Sequence, residues 1–245
     1  LSIDKVTEIF IRINSKGSSL TQADFVMSTI AADEQYGGNI LRKAIDYYCH
    51  LFSNHNFMQI IEKDESFMAS EYYSIVKWVA NADTNLFSLS FDDVLRIAFM
   101  SQYYRGKMAN LTDLLHGRNF ETRSYESDIM EDSFGHLTLG IKEVFDKYNF
   151  DQFVECLKGA GFISQRLIKG RMSLDFAYTL FLRLRKDSTI DKLKVPHYVQ
   201  KWYVMSVITG RYASSPESWM DSDLRSIREK GFLKFYDEVM ANLSD

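Results

Sequence analysis

The stretch TQADFVMSTIAADEQYGGNILRKAIDYYCHLF, residues 21–52, shows in its apolar spacing how the chain folds. Apolar residues recur three and four positions apart on both sides of the Gly37-Gly38 pair, which places them on one face of an α-helix. Thr21 with Asp24 three residues later is a capping-box pattern, typical of a helix N-terminus. The apolar positions are Ala23, Val26, Met27, Ile30 and Ala31 before the glycines, and Leu41, Ala44, Ile45, Tyr48, Cys49 and Phe52 after them. The stretch therefore predicts two amphipathic helices joined by a glycine turn.

Helical spacing continues through most of the chain, and alternation of period two is almost absent. Further helices are predicted over 71–80, 90–104, 137–148, 150–157, 174–186, 196–209 and 232–243, with another that starts at Pro216. Ser90 with Asp93 is a second capping-box pattern, and Gly106 is placed to end that helix. The chain has only two prolines, so long stretches are free to be helical. We predict an all-α fold, an irregular multi-helix bundle.

The chain is long enough for one domain or for two closely packed ones. Residues 111–127 are polar and less regular, which predicts a long loop or a domain seam. We therefore expect two packed helical subdomains, at 1–110 and 111–245. The chain begins at Leu1, and Ile3 to Ile13 carries a periodic apolar pattern from the start, which predicts an internal piece of a longer protein.

Several functional classes are disfavoured by composition. No apolar run reaches the roughly 18 residues of a membrane span, and no signal peptide is recognisable, so we expect a cytoplasmic protein without a membrane partner. The two cysteines and five histidines show no metal-ligand spacing, and we expect no metal site and no disulfide. Because no nucleophile, base and orienting group occur together at a recognisable spacing, we expect no catalytic residue and no bound cofactor in this chain.

Charge is distributed unevenly although the net charge is only −4. Residues 121–155 contain nine acidic and three basic residues, whereas 158–211 contain eleven basic and three acidic ones. The candidate DNA-binding cations of this basic segment are Arg166, Lys169, Arg171, Arg183, Arg185, Lys186, Lys192, Lys194 and Lys201. Cations bind phosphate without reading sequence, and the interleaved Tyr178, Phe181, Tyr198 and Trp202 are either a base-stacking platform or core. An ordinary solvated face, or a surface that meets an acidic domain, explains the charge equally well.

Two motifs point to a family. FIRINSKGSSL, residues 10–20, resembles the F-x-R-x-N-x-x-G-x-x-L signature of domain-of-unknown-function family 262, the ParB-like domain of GmrSD-type restriction proteins. The matching residues are Phe10, Arg12, Asn14, Gly17 and Leu20. GRYASSPES, residues 210–218, is similar to the recurrent end of the helical region in that family, through Arg211, Tyr212, Ser215 and Glu217. The two motifs bracket nearly the whole chain.

This resemblance implies a bacterial phage-defence protein that cuts modified DNA. It also implies an upstream ParB-like domain with an Asp-Gly-Gln-Gln-Arg motif and, in many members, a downstream HNH nuclease domain. Neither pattern occurs in this chain. A nucleoside triphosphate and a divalent metal are therefore expected only for the full-length protein, and we expect the isolated chain to be inactive.

The local chemistry of the first motif allows two interpretations. Arg12 and Asn14 stand at the polar end of a predicted helix, where they can hold a phosphate or a carboxylate of the missing catalytic domain. Alternatively, Arg12 pairs with an acidic residue of this chain and Asn14 caps the helix corner. For the whole chain the corresponding alternatives are a helical module of a DNA-targeting protein and a stand-alone protein interaction module without nucleic acid.

Overall fold

The computed structural model describes residues 20–82 and 86–242. Within these residues the chain is 73% helical, with 13 α-helices and no strands, which confirms the all-α prediction. The helices are α1 (Gln22–Ala32), α2 (Gly38–Ser53), α3 (Met58–Ile61), α4 (Glu65–Met68), α5 (Glu71–Val76), α6 (Phe91–Tyr103), α7 (Met108–Leu115), α8 (Ser127–Phe145), α9 (Lys147–Gly159), α10 (Arg171–Lys186), α11 (Val195–Ile208), α12 (Pro216–Lys230) and α13 (Phe232–Ala241). Short 3₁₀ turns cover His55–Phe57, Lys77–Asn81 and Lys192–Lys194.

The helices α6 and α10 form the centre of the bundle. Every residue from 93 to 101 in α6 and from 173 to 182 in α10 is buried, so both helices are covered on all sides. Helix α6 packs against α8 and α10, and α10 also packs against α11, while α1 packs against α2 and α7. The buried apolar side chains of the described residues belong to one core cluster, which draws on both predicted subdomains. The division at residue 110 stays a prediction, and that residue lies inside α7.

Both predicted capping boxes form. Thr21 Oγ1 accepts the Asp24 N–H at 3.1 Å, and the Asp24 carboxylate accepts the Thr21 N–H at 2.9 Å. At the start of α6, the Asp93 carboxylate accepts the Ser90 N–H at 2.6 Å, and Ser90 Oγ accepts the Asp93 N–H. Each box satisfies two N–H groups that a helix start otherwise leaves without partners.

Helix α6 ends at Tyr103, within one residue of the predicted position, but three other predictions about boundaries were wrong. The helix is terminated by Tyr104, which adopts the left-handed conformation with φ of 51°, and not by Gly106. Gly106 instead permits a close approach to α12, because a Cβ atom there would lie 2.3 Å from the Asp221 nitrogen. Residues 111–115 are helical, and only the remainder of the predicted loop, up to residue 126, is irregular. Helix α8 starts ten residues before position 137, and Met130 and Phe134 continue the apolar spacing of Leu137 and Ile141 into its first turns.

No helix in the described part of the chain combines the length and the apolar composition that crossing a bilayer requires. Four of the five residues of the first family motif, Phe10, Arg12, Asn14 and Gly17, lie outside the described residues. Leu20, the fifth, is partly buried directly before α1. The two interpretations of Arg12 and Asn14 therefore both remain predictions.

Candidate functional site

The nine candidate cations of the basic segment divide into two groups. Five of them bind groups of the chain itself: Arg171, Arg183, Arg185, Lys186 and Lys192. The other four are exposed, and within the described residues their side chains have neither a hydrogen bond nor an ion pair: Arg166, Lys169, Lys194 and Lys201. A count of charge along the sequence cannot make this distinction, since the partners lie on other helices.

Two of the five bound cations neutralise the C-terminal ends of the central helices. Arg183 donates to the carbonyl oxygens of Met100 at 3.1 Å and Ser101 at 2.5 Å, in the last turn of α6. Its guanidinium also stacks on the ring of Tyr104, 3.2 Å from the ring centroid. Lys192 donates to the Leu184 carbonyl oxygen at 3.1 Å, near the end of α10. Because a helix C-terminus carries partial negative charge, these cations serve the fold.

The remaining bound cations pair with α8, α9 and the start of α6. Lys186 donates to both carboxylate oxygens of Glu143 at 2.8 Å, and Arg185 donates to Asn149 Oδ1 at 2.8 Å. Arg171 binds the buried carboxylate of Asp93 through two nitrogens. Part of the charge contrast between the acidic and basic segments is therefore used internally, to join α10 to its neighbours.

The four unpaired cations occupy the loop before α10 and one face of α11. Lys194, His197 and Lys201 are exposed and are spaced three and four residues apart, which places them on the same side of that helix. With a rise of about 1.5 Å per residue, Lys194 and Lys201 are separated by roughly 10 Å along the helix axis. Arg166 and Lys169 are exposed in the loop 160–170. We call these four residues the free cation set.

The aromatic residues of the basic segment are not a stacking platform. Tyr178 and Trp202 are fully buried, Phe181 is buried, and Tyr198 is partly buried against Phe232 and Tyr236. The core interpretation of these four side chains is thus the correct one. A contact between the free cation set and a nucleic acid has to rely on phosphate rather than on base stacking.

The C-terminal family motif forms a buried polar corner between α11 and α12. Arg211 donates to both oxygens of Asp223, at 2.8 and 2.5 Å, and the Tyr212 hydroxyl donates to Asp223 Oδ2 at 2.7 Å. Ser215 has a φ of 48° and is the N-cap residue of α12. Glu217 accepts the Met108 N–H at 3.3 Å, at the first residue of α7. All four motif residues therefore have structural roles.

A second buried polar layer, which the sequence did not reveal, joins α6 to α10. Arg96 donates to Asp175 Oδ2 at 3.1 Å, beside the pair of Arg171 with Asp93. Burial and the charge of Asp93 raise the pKa of Asp175 to about 8. Burial opposes ionisation of Asp93 too, but hydrogen bonds from Arg171 and Ser90 outweigh it and hold the pKa of Asp93 below its usual range. Asp93 thus caps the start of α6, as its pattern predicts, and is also buried in this layer.

This layer is a clamp between helices and not an accessible acid and base pair. Asp175 is fully buried and Arg96 nearly so, which closes both to a substrate. Asp175 Oδ1 and Arg96 Nε have no hydrogen-bond partner among the described residues. Both cysteines are free thiols, and burial raises the pKa of Cys49 and Cys156 above the usual thiol value. Among the described residues, no group of three or more potential ligands is arranged to hold a metal ion.

The chain was compared with protein families, curated proteins and solved structures. No family model, no curated protein and no solved structure matches it. The likeness to the GmrSD type consequently rests on the two motifs of the sequence. A function for this chain has to be argued from its own surface, on which the free cation set is the main feature.

Proposed function

We propose that this chain is the helical module of a cytoplasmic, GmrSD-like, DNA-targeting defence protein. In this proposal the module binds the DNA backbone through Arg166, Lys169, Lys194 and Lys201 and positions a nuclease or nucleotide-hydrolysing domain that lies outside the chain. The nucleoside triphosphate and the divalent metal would act in that other domain. The motif likeness supports the family part of this proposal, and the free cation set supports the binding part.

The observation that carries the binding part is the contrast between free and bound cations. Lysine and arginine side chains that the fold requires are found in ion pairs or at helix ends, as Arg183 and Lys186 are. Lys194 and Lys201 serve neither purpose, although they lie on one face of α11 with a third exposed side chain, His197, between them. Such a row of unpaired cations matches a phosphate backbone, which offers negative charge at regular intervals.

The second candidate function is a stand-alone protein interaction module. It is favoured by the first turns of α8, where Asp128, Glu131 and Asp132 are all exposed. Acidic residues at a helix N-terminus also stabilise the helix itself, so the presence of this cluster is explained without a partner protein. We therefore rank the interaction module second.

Salt-dependent binding to a fluorescent duplex, followed by anisotropy, separates the two functions. DNA binding should weaken linearly in a plot of log affinity against log salt, because bound phosphates release counterions. Replacing Lys194 and Lys201 together by glutamine should make this slope shallower by about 1.8, at about 0.9 for each lost phosphate contact. The matched control replaces Lys63 and Lys234, two exposed lysines with no hydrogen bond or ion pair in the described chain, and should leave the slope unchanged.

Two outcomes would contradict the proposal. One is the absence of DNA binding by the parent chain at about 50 mM salt, where backbone contacts are strong. The other is an equal effect of the control pair, which would make the binding a consequence of total charge. Either result would place the interaction module first.

A further inference from the structure

A cavity of about 280 Å³ lies at the N-terminus of α10. Its wall is formed by the first turn of α10 with the preceding Lys169 and Gly170, by Ser206 and Val207 in the last turn of α11, and by the following turn at Gly210. Three separate segments therefore converge on the start of one of the two central helices. The polar groups that they present decide what the cavity accepts.

The start of α10 offers backbone donors that no group in 20–82 or 86–242 uses. Its N-cap residue is Gly170, in the left-handed conformation with φ of 67°, which provides no side chain to cap the helix. The first intrahelical bond runs from the Leu174 N–H to the Gly170 carbonyl at 3.0 Å. Among the residues that the structure describes, no acceptor meets the N–H groups of Arg171, Met172 or Ser173. These donors and the helix dipole favour a negative charge at this position.

Ser173 adds a side-chain donor to the same place. The residue is 4% exposed and lines the cavity, yet within the described chain its hydroxyl has no hydrogen-bond partner. The hydroxyl oxygen would lie 3.2 Å from a Cβ atom at Gly170, so it is folded back over the helix start. A buried hydroxyl normally finds a partner in the protein. Ser173 lines the cavity, so its hydroxyl is available to a group bound there.

The charge at this cavity comes from Lys169, whose backbone is held in place. The buried hydroxyl of Tyr203 accepts the Lys169 N–H at 3.1 Å and donates to the Lys169 carbonyl oxygen at 2.8 Å. Phe162 packs edge-on against the Tyr203 ring, with 4.8 Å between ring centroids. The loop is thereby anchored to α11, and the ammonium group of Lys169 remains free at the cavity wall.

Several of the acceptors around the cavity are already occupied. At the end of α11 the carbonyl oxygens of Met205, Ser206 and Val207 receive N–H groups from Thr209, Arg211 and Gly210, at 2.9, 3.0 and 3.3 Å. None of the described residues that line the cavity is acidic. Two carboxylates are bound by lining residues: Asp93 pairs with Arg171, and Asp223 accepts from the Tyr212 hydroxyl and pairs with Arg211. The cavity therefore presents backbone donors and a lysine, and none of its described lining residues adds a carboxylate.

We propose that this cavity binds a phosphate group carried as a monoester, either on a nucleotide or at the end of a DNA strand. The phosphate oxygens accept from the three N–H groups at the start of α10 and from the Ser173 hydroxyl, and Lys169 neutralises part of their charge. The apolar side of the cavity, formed by Met172 and Val207, lies next to the esterified group. The strand-end form of this ligand rests on the proposed DNA-binding function, whereas the phosphate site itself does not.

A heteronuclear NMR titration of the 245-residue chain with inorganic phosphate tests the site directly. The backbone amides of Arg171, Met172 and Ser173 should shift together and saturate, with a dissociation constant of about 1 mM or tighter. Sodium chloride at equal ionic strength should leave them in place. Scattered shifts over the surface, or none at these three amides, would overturn the proposal.

Variants of Ser173 separate binding from folding. Ser173→Ala should weaken phosphate binding about tenfold or more, since it removes one hydrogen bond to a charged group. Ser173→Asp places a carboxylate where the phosphate is bound, so it should abolish binding while raising the melting temperature, as an acid in a first helical turn does. Ser133→Ala is the control, because Ser133 is about as buried as Ser173 but lies in α8 and does not line the cavity. If the Ser173 variants and the Ser133 variant all bind phosphate with the affinity of the parent chain, the proposed phosphate site is contradicted.

The source of the phosphate is identified by two further ligands. A deoxynucleoside 5′-monophosphate is compared with its unphosphorylated nucleoside, and a 5′-phosphorylated oligonucleotide with its 5′-hydroxyl form. If either phosphorylated ligand shifts the amides at the start of α10, and Ser173→Asp abolishes that shift, the result supports the site and identifies the source of the phosphate. If neither ligand shifts these amides, the proposed site is overturned. The Lys194 and Lys201 double variant should retain phosphate binding, so a failure of the DNA proposal remains distinguishable from a failure of this one.

Discussion

Two glycines of α8 provide a matched test of how closely this helix packs against α6. Gly135 is exposed, and a Cβ atom there would meet nothing within 4 Å. Gly140 is buried, and a Cβ atom there would lie 2.7 Å from the Ala98 carbonyl oxygen and 3.0 Å from Gln102 Cγ. The same substitution to alanine therefore meets open space at one position and the backbone of α6 at the other.

The expected effects on stability have opposite signs. Alanine is favoured over glycine inside a helix by about 0.5–1 kcal/mol, so Gly135→Ala should raise the free energy of unfolding by that amount. Gly140→Ala gains the same helix preference, but it forces α6 and α8 apart at a cost of about 1–3 kcal/mol. Because backbone atoms cannot rotate away as a side chain can, we expect a value near the upper end. The net change should be a loss of roughly 2–2.5 kcal/mol.

Urea denaturation followed by circular dichroism at 222 nm measures both variants. The transition midpoint should move up for Gly135→Ala and down for Gly140→Ala, with the slope unchanged in both, since the surface exposed on unfolding is the same. A Gly140→Ala protein as stable as the parent would refute the close helix contact. A Gly135→Ala protein less stable than the parent would instead refute the helical, unobstructed environment assigned to that glycine.

Two further predictions concern the buried polar groups. Asp223→Ala should lower the free energy of unfolding by about 3–5 kcal/mol, because it leaves the half-buried charge of Arg211 without its partner. In the same urea assay, the control Asp237→Ala, at an exposed site on α13, should change the free energy of unfolding by less than about 0.5 kcal/mol. Equal effects of the two substitutions would contradict the structural role of the corner. Asp175 has a folded pKa raised to about 8, above its unfolded value, so its contribution to stability is complete below about pH 4 and is lost as the pH rises toward 8. As the pH rises over that interval, the free energy of unfolding of Asp175→Asn should increase relative to that of the parent, by up to about 1.4 kcal/mol for each pH unit. A difference between the two proteins that does not depend on pH would contradict the raised pKa.

The sequence alone was sufficient for the fold class and for most helices. The two capping boxes, Thr21 with Asp24 and Ser90 with Asp93, each join residues three positions apart, so the pattern and its hydrogen bonds are both local. Periodicity of apolar residues is equally local, which is why the central part of α8 was predicted. The residue that terminates α6, in contrast, could not be identified from local sequence. Tyr104 is held in a left-handed conformation beside Arg183, a residue of another helix.

Only the tertiary structure decided which charges remain available for a partner. Lys186 and Lys201 are alike as residues of one basic segment, but Glu143 on α8 binds the first and no group of the described chain binds the second. Asp175 lies 79 residues from Arg96 in sequence, so no local pattern predicts their ion pair or the raised pKa of the carboxyl group. The donors at the start of α10 line a cavity only because α11 and its following turn enclose them. Charge counts and motifs record what a chain contains, whereas pairing and enclosure depend on which distant segments the packed core brings together.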